Sequence, residues 1–295
     1  MVQVAQPQAS SYRRPGRVRS RLVRRVPREI LLNAVGILVI GTLIFPVYWA
    51  LCVALQSDPD ALIKAPSLFP VHLVLSNFQT ALNTEGGNIL TSLIISVAVV
   101  ALGLLVGVPA AYALRRFRVR YTGAVIGSLL VTQMVPSIAL SIAFYSLFKD
   151  AHLLNSYVGL ILADSTYAVP LMVLLLRAFL ESLPGELMES ARVDGCSELR
   201  CLISVVVPVA IPGIVTASLF GFLGAWGDFL FGLTLNSGGK VQPVTLGLFK
   251  FVGTYSTSWG PLMATVILAA IPAAIVLSVG QRWIRGGLRA GALKG

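Results

Sequence analysis

The sequence predicts an all-α membrane protein with six transmembrane helices, and three observations carry that prediction. Of its 295 residues, 56% are hydrophobic and 12% are charged. The charged share is about half that of an average soluble domain, ~25%. Six apolar runs have the length of roughly 20 residues that a helix needs to cross about 30 Å of hydrocarbon. Finally, the basic residues alternate between connections. All of the 23 Lys and Arg except Lys64, Lys149, Lys240 and Lys250 fall on one set of loops and ends.

The runs cover residues 30–54, 89–114, 122–148, 157–176, 206–235 and 259–281. Ahead of the first lies an Arg-rich tail, residues 1–29, with Arg13, Arg14, Arg17, Arg19, Arg21, Arg24, Arg25 and Arg28. It lacks hydrophobic periodicity and reads as disordered, near anionic headgroups. The run that follows is of full span length, so it reads as a retained first helix rather than a cleaved signal. The connection over residues 55–88 starts with Pro59, Pro66 and Pro70, which favour extended chain. A short helix from Leu75 to Leu82, capped by Ser76, follows. The loop after span two carries Arg115, Arg116, Arg118 and Arg120. Pro136 interrupts span three, and Pro212, Gly221, Gly224 and Gly227 interrupt span five. Such breaks survive in a membrane where other helices or a watered cavity satisfy the freed backbone groups. Gly103-x-x-x-Gly107 and Gly123-x-x-x-Gly127 predict close helix packing. The distribution of Lys and Arg places both termini, the 183–204 insert and the basic tail 284–295 in the cytoplasm.

The insert "LPGELMESARVDGCSELRCLISVVVPVAIPG", Leu183 to Gly213, is a charged, turn-punctuated interruption between two apolar stretches. Pro184 suits a first helical turn, and Glu186 and Glu189 lie where a helix dipole favours negative charge. Leu183, Leu187 and Ala191 recur at the spacing of one helix face. Asp194-Gly195 stops this helix, with Gly195 supplying a left-handed residue. Ser197 then caps a second short helix that runs into the next span at Pro208. The plain alternative is an ordinary amphipathic helix at the interface, its charges solvated.

Several function classes drop out. The net charge of +11 is topology signal, not a nucleic-acid footprint. Cys52, Cys196 and Cys201 give no disulfide framework and read as free thiols. No G-x-x-x-x-G-K-[ST] occurs, and Gly238-Gly239-Lys240 is followed by Val241, so it is a turn. His72 and His152 stand apart, without metal-ligand spacing. No nucleophile motif appears. The chain is therefore expected to hold no catalytic residue, metal or cofactor of its own.

The insert resembles the EAA loop of permease subunits of ATP-binding-cassette importers. That family's pattern is E-A-A, two residues, D-G-A, then about a dozen residues to L-P. Here it stands as Glu189-Ser190-Ala191, Asp194-Gly195-Cys196 and Val207-Pro208; Ser190, Cys196 and Val207 depart from it. The ending "QRWIRGGLRAGALKG" is similar to that of sugar-importer permeases of the maltose type, matching at Gln281, Arg282, Gly287, Leu288, Gly291, Lys294 and Gly295. Weaker matches lie at Asn77-Phe78, Ala111-Tyr112-Ala113, Met134-Val135-Pro136 and Trp226-Gly227-Asp228-Phe229.

The resemblance implies a type I importer (MetI-like) permease bundle in the cytoplasmic (inner) membrane of a prokaryote, with loop 183–208 as a cytoplasmic coupling helix. Glu186, Glu189, Ser190, Ala191, Asp194 and Gly195 would dock on an ATPase. It implies a second homologous permease chain, two copies of a cytoplasmic ATPase that uses ATP and magnesium, an extracytoplasmic solute-binding protein, and carbohydrate as solute. Membrane lipid is the remaining partner, and no nucleic acid is expected. The rival reading is a secondary transporter driven by an ion gradient, which needs paired acidic groups and inverted repeats.

Four residues are candidates for the solute path. Asp228 lies in span five, where a carboxylate is costly unless paired or watered; it reads either as a path residue or as a structural polar contact. Trp226 beside it offers a face to a sugar or simply packs. Asp164 in span four and Gln133 before Pro136 are polar groups at membrane depth.

Overall fold

In the computed structural model, residues 25–57, 69, 73–117, 121–236, 239, 241–252 and 258–292 are described. The tail up to Arg24, Pro59, Lys64, Pro66, Pro70, His72, Arg118, Arg120, Gly238, Lys240 and the last three residues lie outside them. The chain divides into two units, Met1–Trp49 and Ala50–Gly295. In the first, the described residues are helical and belong to α1 (Arg25–Ala54), whose Glu29–Ala54 stretch is apolar enough to span a bilayer.

The second unit is a helical bundle. Its elements are α2 (Ser76–Arg116), α3 (Thr122–Met134), α4 (Ser137–Asp150), α5 (Tyr157–Glu181) and α6 (Glu186–Val193). Then come α7 (Glu198–Val209), α8 (Ile211–Trp226), α9 (Leu230–Leu235), α10 (Val244–Lys250) and α11 (Trp259–Ala292). Among the described residues four helices are long and apolar enough to span, and six spans result when each of two bent pairs counts as one.

The two bends fall in the spans where the sequence places prolines. α3 and α4 meet at 93°, and α7 and α8 meet at 80°. A proline lacks the N–H that the carbonyl four residues earlier would accept, so the ladder breaks there. At the first bend the Val135 carbonyl, freed from the helix, accepts the Tyr167 hydroxyl at 2.6 Å. At the second, Pro212 is the second residue of α8, just past Ala210. Within α7, Leu202–Val206 form a π-helical turn, a local widening that precedes Pro208.

Four expectations need correcting. Gly221 and Gly224 do not interrupt span five: α8 runs unbroken from Ile211 to Trp226. Ser76 does not cap a short helix: α2 runs unbroken for 41 residues, and no side chain caps its start. Gly86-Gly87 do not end it, since glycine in a helix costs only about 1 kcal/mol and long apolar flanks outweigh that. Pro184 lies ahead of α6, which begins at Glu186. Among the described residues the Gly123-x-x-x-Gly127 pattern packs against nothing in this chain, since a Cβ at either position would meet no atom within 4 Å.

α2, α5 and α8 form the centre of the unit. Lipid tails are as apolar as leucine, so close fit rather than water exclusion holds such helices together. Gly103 on α2 and Gly221 on α8 both face Met172 on α5. A Cβ at 103 would lie 2.3 Å from its sulfur and one at 221 would lie 2.7 Å away. Met172 is fully buried. Polar anchors fix the other pieces. Asn77 Nδ2 donates to the Ala54 and Gln56 carbonyls at 3.0 and 2.8 Å, stapling the end of α1 to α2. The Val244 amide donates to Ser92 Oγ at 2.8 Å, seating α10 on α2. Asn155 N donates to the Leu235 carbonyl at 3.0 Å, tying the α4–α5 turn to α9.

Candidate functional site

Two places concentrate polar groups: the loop 183–208 and a cavity beside the α3–α4 bend. In the loop, α6 ends in a complete glycine-terminated turn. Gly195 sits at φ +80°, its amide donates to the Arg192 carbonyl at 2.9 Å, and the Cys196 amide donates to the Ala191 carbonyl at 3.1 Å. Both bonds satisfy carbonyls that a helix end leaves open. Ser197 caps α7, its hydroxyl accepting the Arg200 amide at 3.4 Å. Loop shape therefore follows the sequence reading closely.

The buried face of α6 does not. Met188 and Ala191 are buried, while Leu187 is 38% exposed. The inward stripe runs through i and i+3 instead of i and i+4. Met188 and Ala191 pack with Tyr112, Leu180, Cys201 and Leu202. Glu186, Glu189, Ser190, Asp194 and Gly195 are exposed, whereas Ala191, expected among the docking residues, is turned into the bundle and cannot offer its side chain to a partner. Val193 is 88% exposed and Leu199 67%, so apolar and acidic groups share the outer face.

A junction missed by the sequence reading fastens the loop to α2. Glu198 accepts the Tyr112 hydroxyl at 2.7 Å. It also faces Arg192 Nε at 3.4 Å and Arg116 Nε at 3.6 Å. Arg115 Nη2 donates to the Leu183 carbonyl at 2.6 Å. The only sequence signal was the run Tyr112 to Arg116, which counts as topology until its distant partner is known.

The cavity has a volume of about 390 Å³ and is lined by α3, α4, α5, α8, Asp228 and α9. Gln133, Asp164 and Asp228 all line it; Trp226 does not. Trp226 is buried and stacks on Phe222 with ring centroids 5.5 Å apart, inside the core. Gln133 Nε2 donates to the Tyr167 carbonyl at 2.9 Å, so the α3 end and α5 are joined in both directions. Asp228 caps α9: its two carboxylate oxygens accept the Phe231 and Gly232 amides at 3.3 and 3.1 Å. Its carbonyl accepts the Thr245 hydroxyl. Asp164 is 7% exposed, and no hydrogen bond reaches its carboxylate among the described residues.

Residues 103–290, which include the loop and the cavity, match the family model described as binding-protein-dependent transport system inner membrane component. The chain belongs to that family. It is a multi-pass inner-membrane permease of an ATP-binding-cassette importer. The family's diacetylchitobiose uptake system permease protein DasC of Streptomyces coelicolor is 34% identical over 267 residues, covering 89% of this chain and 96% of that protein. Sulfoquinovosyl glycerol transport system permease protein SmoH of Agrobacterium fabrum is 30% identical, covering 89% and 92%. Trehalose transport system permease protein SugB of Mycobacterium tuberculosis is 30% identical, covering 88% and 95%. The fold matches that of a chain in the crystal structure of a bacterial ABC transporter involved in import of the acidic polysaccharide alginate. There the TM-score is 0.71 at 22% identity, over 91% of this chain and 99% of that one.

Proposed function

We propose that this permease moves a carbohydrate inward by alternating access, and that loop 183–208 receives the motion of a separate ATPase. The observation that carries the reading is the division of α6 into two faces. Met188 and Ala191 anchor it to the bundle, while Glu186, Glu189, Ser190, Asp194 and Gly195 stand outward with the exposed Val193. A lever needs this arrangement: a rigid attachment behind and a free, mixed polar and apolar surface in front. Three relatives at 30–34% identity that serve diacetylchitobiose, sulfoquinovosyl glycerol and trehalose support the solute class. Both termini and the loop lie in the cytoplasm on the distribution of Lys and Arg.

The assembly proposed is this chain, a second permease chain, two ATPase copies that use ATP and magnesium, and an extracytoplasmic binding protein. The path runs by Gln133, Asp164 and Asp228, with Trp226 assigned to packing. Family membership leaves no place for an ion-gradient motor. The test is Glu189→Lys and Gly195→Pro in the assembled importer. Each is expected to leave membrane insertion intact and to separate uptake from ATP hydrolysis, because one reverses an exposed charge and the other cannot adopt φ +80° with a proline ring. Normal uptake rates in both variants would rule the coupling role out.

A further inference from the structure

We infer that a groove between α8 and α11 holds an anionic phospholipid of the cytoplasmic leaflet, with an acyl chain in the groove and the phosphate at Arg282. The groove has a volume of about 300 Å³ and runs between Val215, Ser218 and Leu219 on α8 and Ile275, Val279 and Trp283 on α11. Its floor is formed where the helices touch: Gly280 and Leu219 are buried, and a Cβ at 280 would lie 2.7 Å from Leu219 Cδ1. Its outer rim is open, with Ile275, Val279 and Trp283 between 51% and 57% exposed.

Depth and charge name the occupant. The apolar stretch of α11 ends at Trp283, an aromatic residue of the kind that marks the headgroup level. From there to Ile275 the helix rises ~12 Å, and one leaflet of a ~30 Å hydrocarbon core is about 15 Å deep. The groove therefore matches the upper part of one acyl chain, on the cytoplasmic side by the distribution of Lys and Arg. Lipid tails are as apolar as leucine, so an apolar groove gains only closer fit from a tail and does not choose among lipids. The choice falls to the headgroup. Arg282, exposed and adjacent in sequence to Trp283, stands at the groove's mouth, and no Asp or Glu follows Asp228 in the chain. Topology alone would explain an arginine at 282, but not an open groove that ends beside it. The site also touches the transport machinery, since Val215 lies about one turn past Ile211, where α8 leaves its bend with α7.

The test uses the complete importer in nanodiscs that contain phosphatidylglycerol or phosphatidylcholine with a diazirine in the acyl chain. After photolysis, labelled peptides are read by mass spectrometry. In the wild type, residues 215–219 and 275–283 should be labelled about fivefold more by phosphatidylglycerol than by phosphatidylcholine, the preference one arginine near the membrane surface supplies. Arg282→Gln should bring that ratio close to one, and Arg282→Lys should keep it. Ser218→Phe fills the groove and should lower labelling of both segments by either probe. Arg282 is exposed, so its variants keep the inference testable if Ser218→Phe does not assemble. Equal labelling by the two probes in the wild type, or a preference that survives Arg282→Gln, overturns the inference. So does absence of label from both segments in the assembled importer, which would show that the second permease chain covers the groove. None of these outcomes bears on the solute or on the coupling role of loop 183–208.

Discussion

Glu198→Ala is expected to loosen the loop from α2 while leaving the bundle intact. Three contacts meet at this carboxylate: the Tyr112 hydroxyl at 2.7 Å, Arg192 at 3.4 Å and Arg116 at 3.6 Å. The first is a hydrogen bond to a charged group, worth about 1.5–3 kcal/mol. The ion pairs involve side chains of Arg116 and Arg192 that are 24% and 49% exposed. At such exposure each adds only about 0.2–1 kcal/mol. Arg192 belongs to the loop itself, so only the Tyr112 and Arg116 contacts hold it to α2, and its docking should weaken by roughly 2–4 kcal/mol. At 1.4 kcal/mol per decade, the lower figure already raises the open population about 30-fold. Hydrogen exchange read by mass spectrometry over residues 186–206 should show that acceleration, with residues 157–176 unaffected. Glu198→Gln keeps an acceptor for Tyr112 and should fall between. In the assembled importer, sugar moved per ATP hydrolysed should fall in the same order. Unchanged exchange over 186–206 in Glu198→Ala would refute the junction as the fastening of the loop.

Two further outcomes follow from the packing of the centre. Gly103→Ala places a Cβ 2.3 Å from the Met172 sulfur, an overpacking expected to cost about 1–3 kcal/mol. The double variant with Met172→Ala should recover part of the lost thermal stability in detergent, and failure of the second change to help would show that the helices separate instead. Ser92→Ala leaves the buried Val244 amide without its acceptor, an expected cost of about 1–3 kcal/mol. Limited proteolysis should then cleave between Leu235 and Trp259 sooner, and an unaltered cleavage rate would mean that α10 is held by other contacts.

The loop was the most legible part of the site. A left-handed glycine, a serine cap and a run of acids are local signals, and local signals survive into the structure because their bonds close within a few residues. The inward face of α6 was misread by one position, since Leu187 and Met188 have similar hydrophobicity and only the neighbours on α5 and α7 choose between them. Glu198 escaped notice because its partners Tyr112 and Arg116 stand more than eighty residues away in sequence. Trp226 illustrates the reverse case. Its position beside Asp228 allowed either a sugar platform or plain packing, and Phe222 one helical turn back, on which it stacks inside the core, decides for packing.

The sequence by itself determined the solvent and the number of crossings, because hydrocarbon thickness and backbone hydrogen bonding leave a membrane chain few choices. It also placed the breaks at Pro136 and Pro212, where an N–H is missing from the covalent structure. Tertiary structure decided which polar groups at membrane depth are already satisfied. Asp228 and Asp164 look alike in the sequence as carboxylates within apolar runs. Only the fold gives one the amides of α9 and leaves the other lining the cavity, because hydrogen-bond partners are set by approach between helices and not by position along the chain.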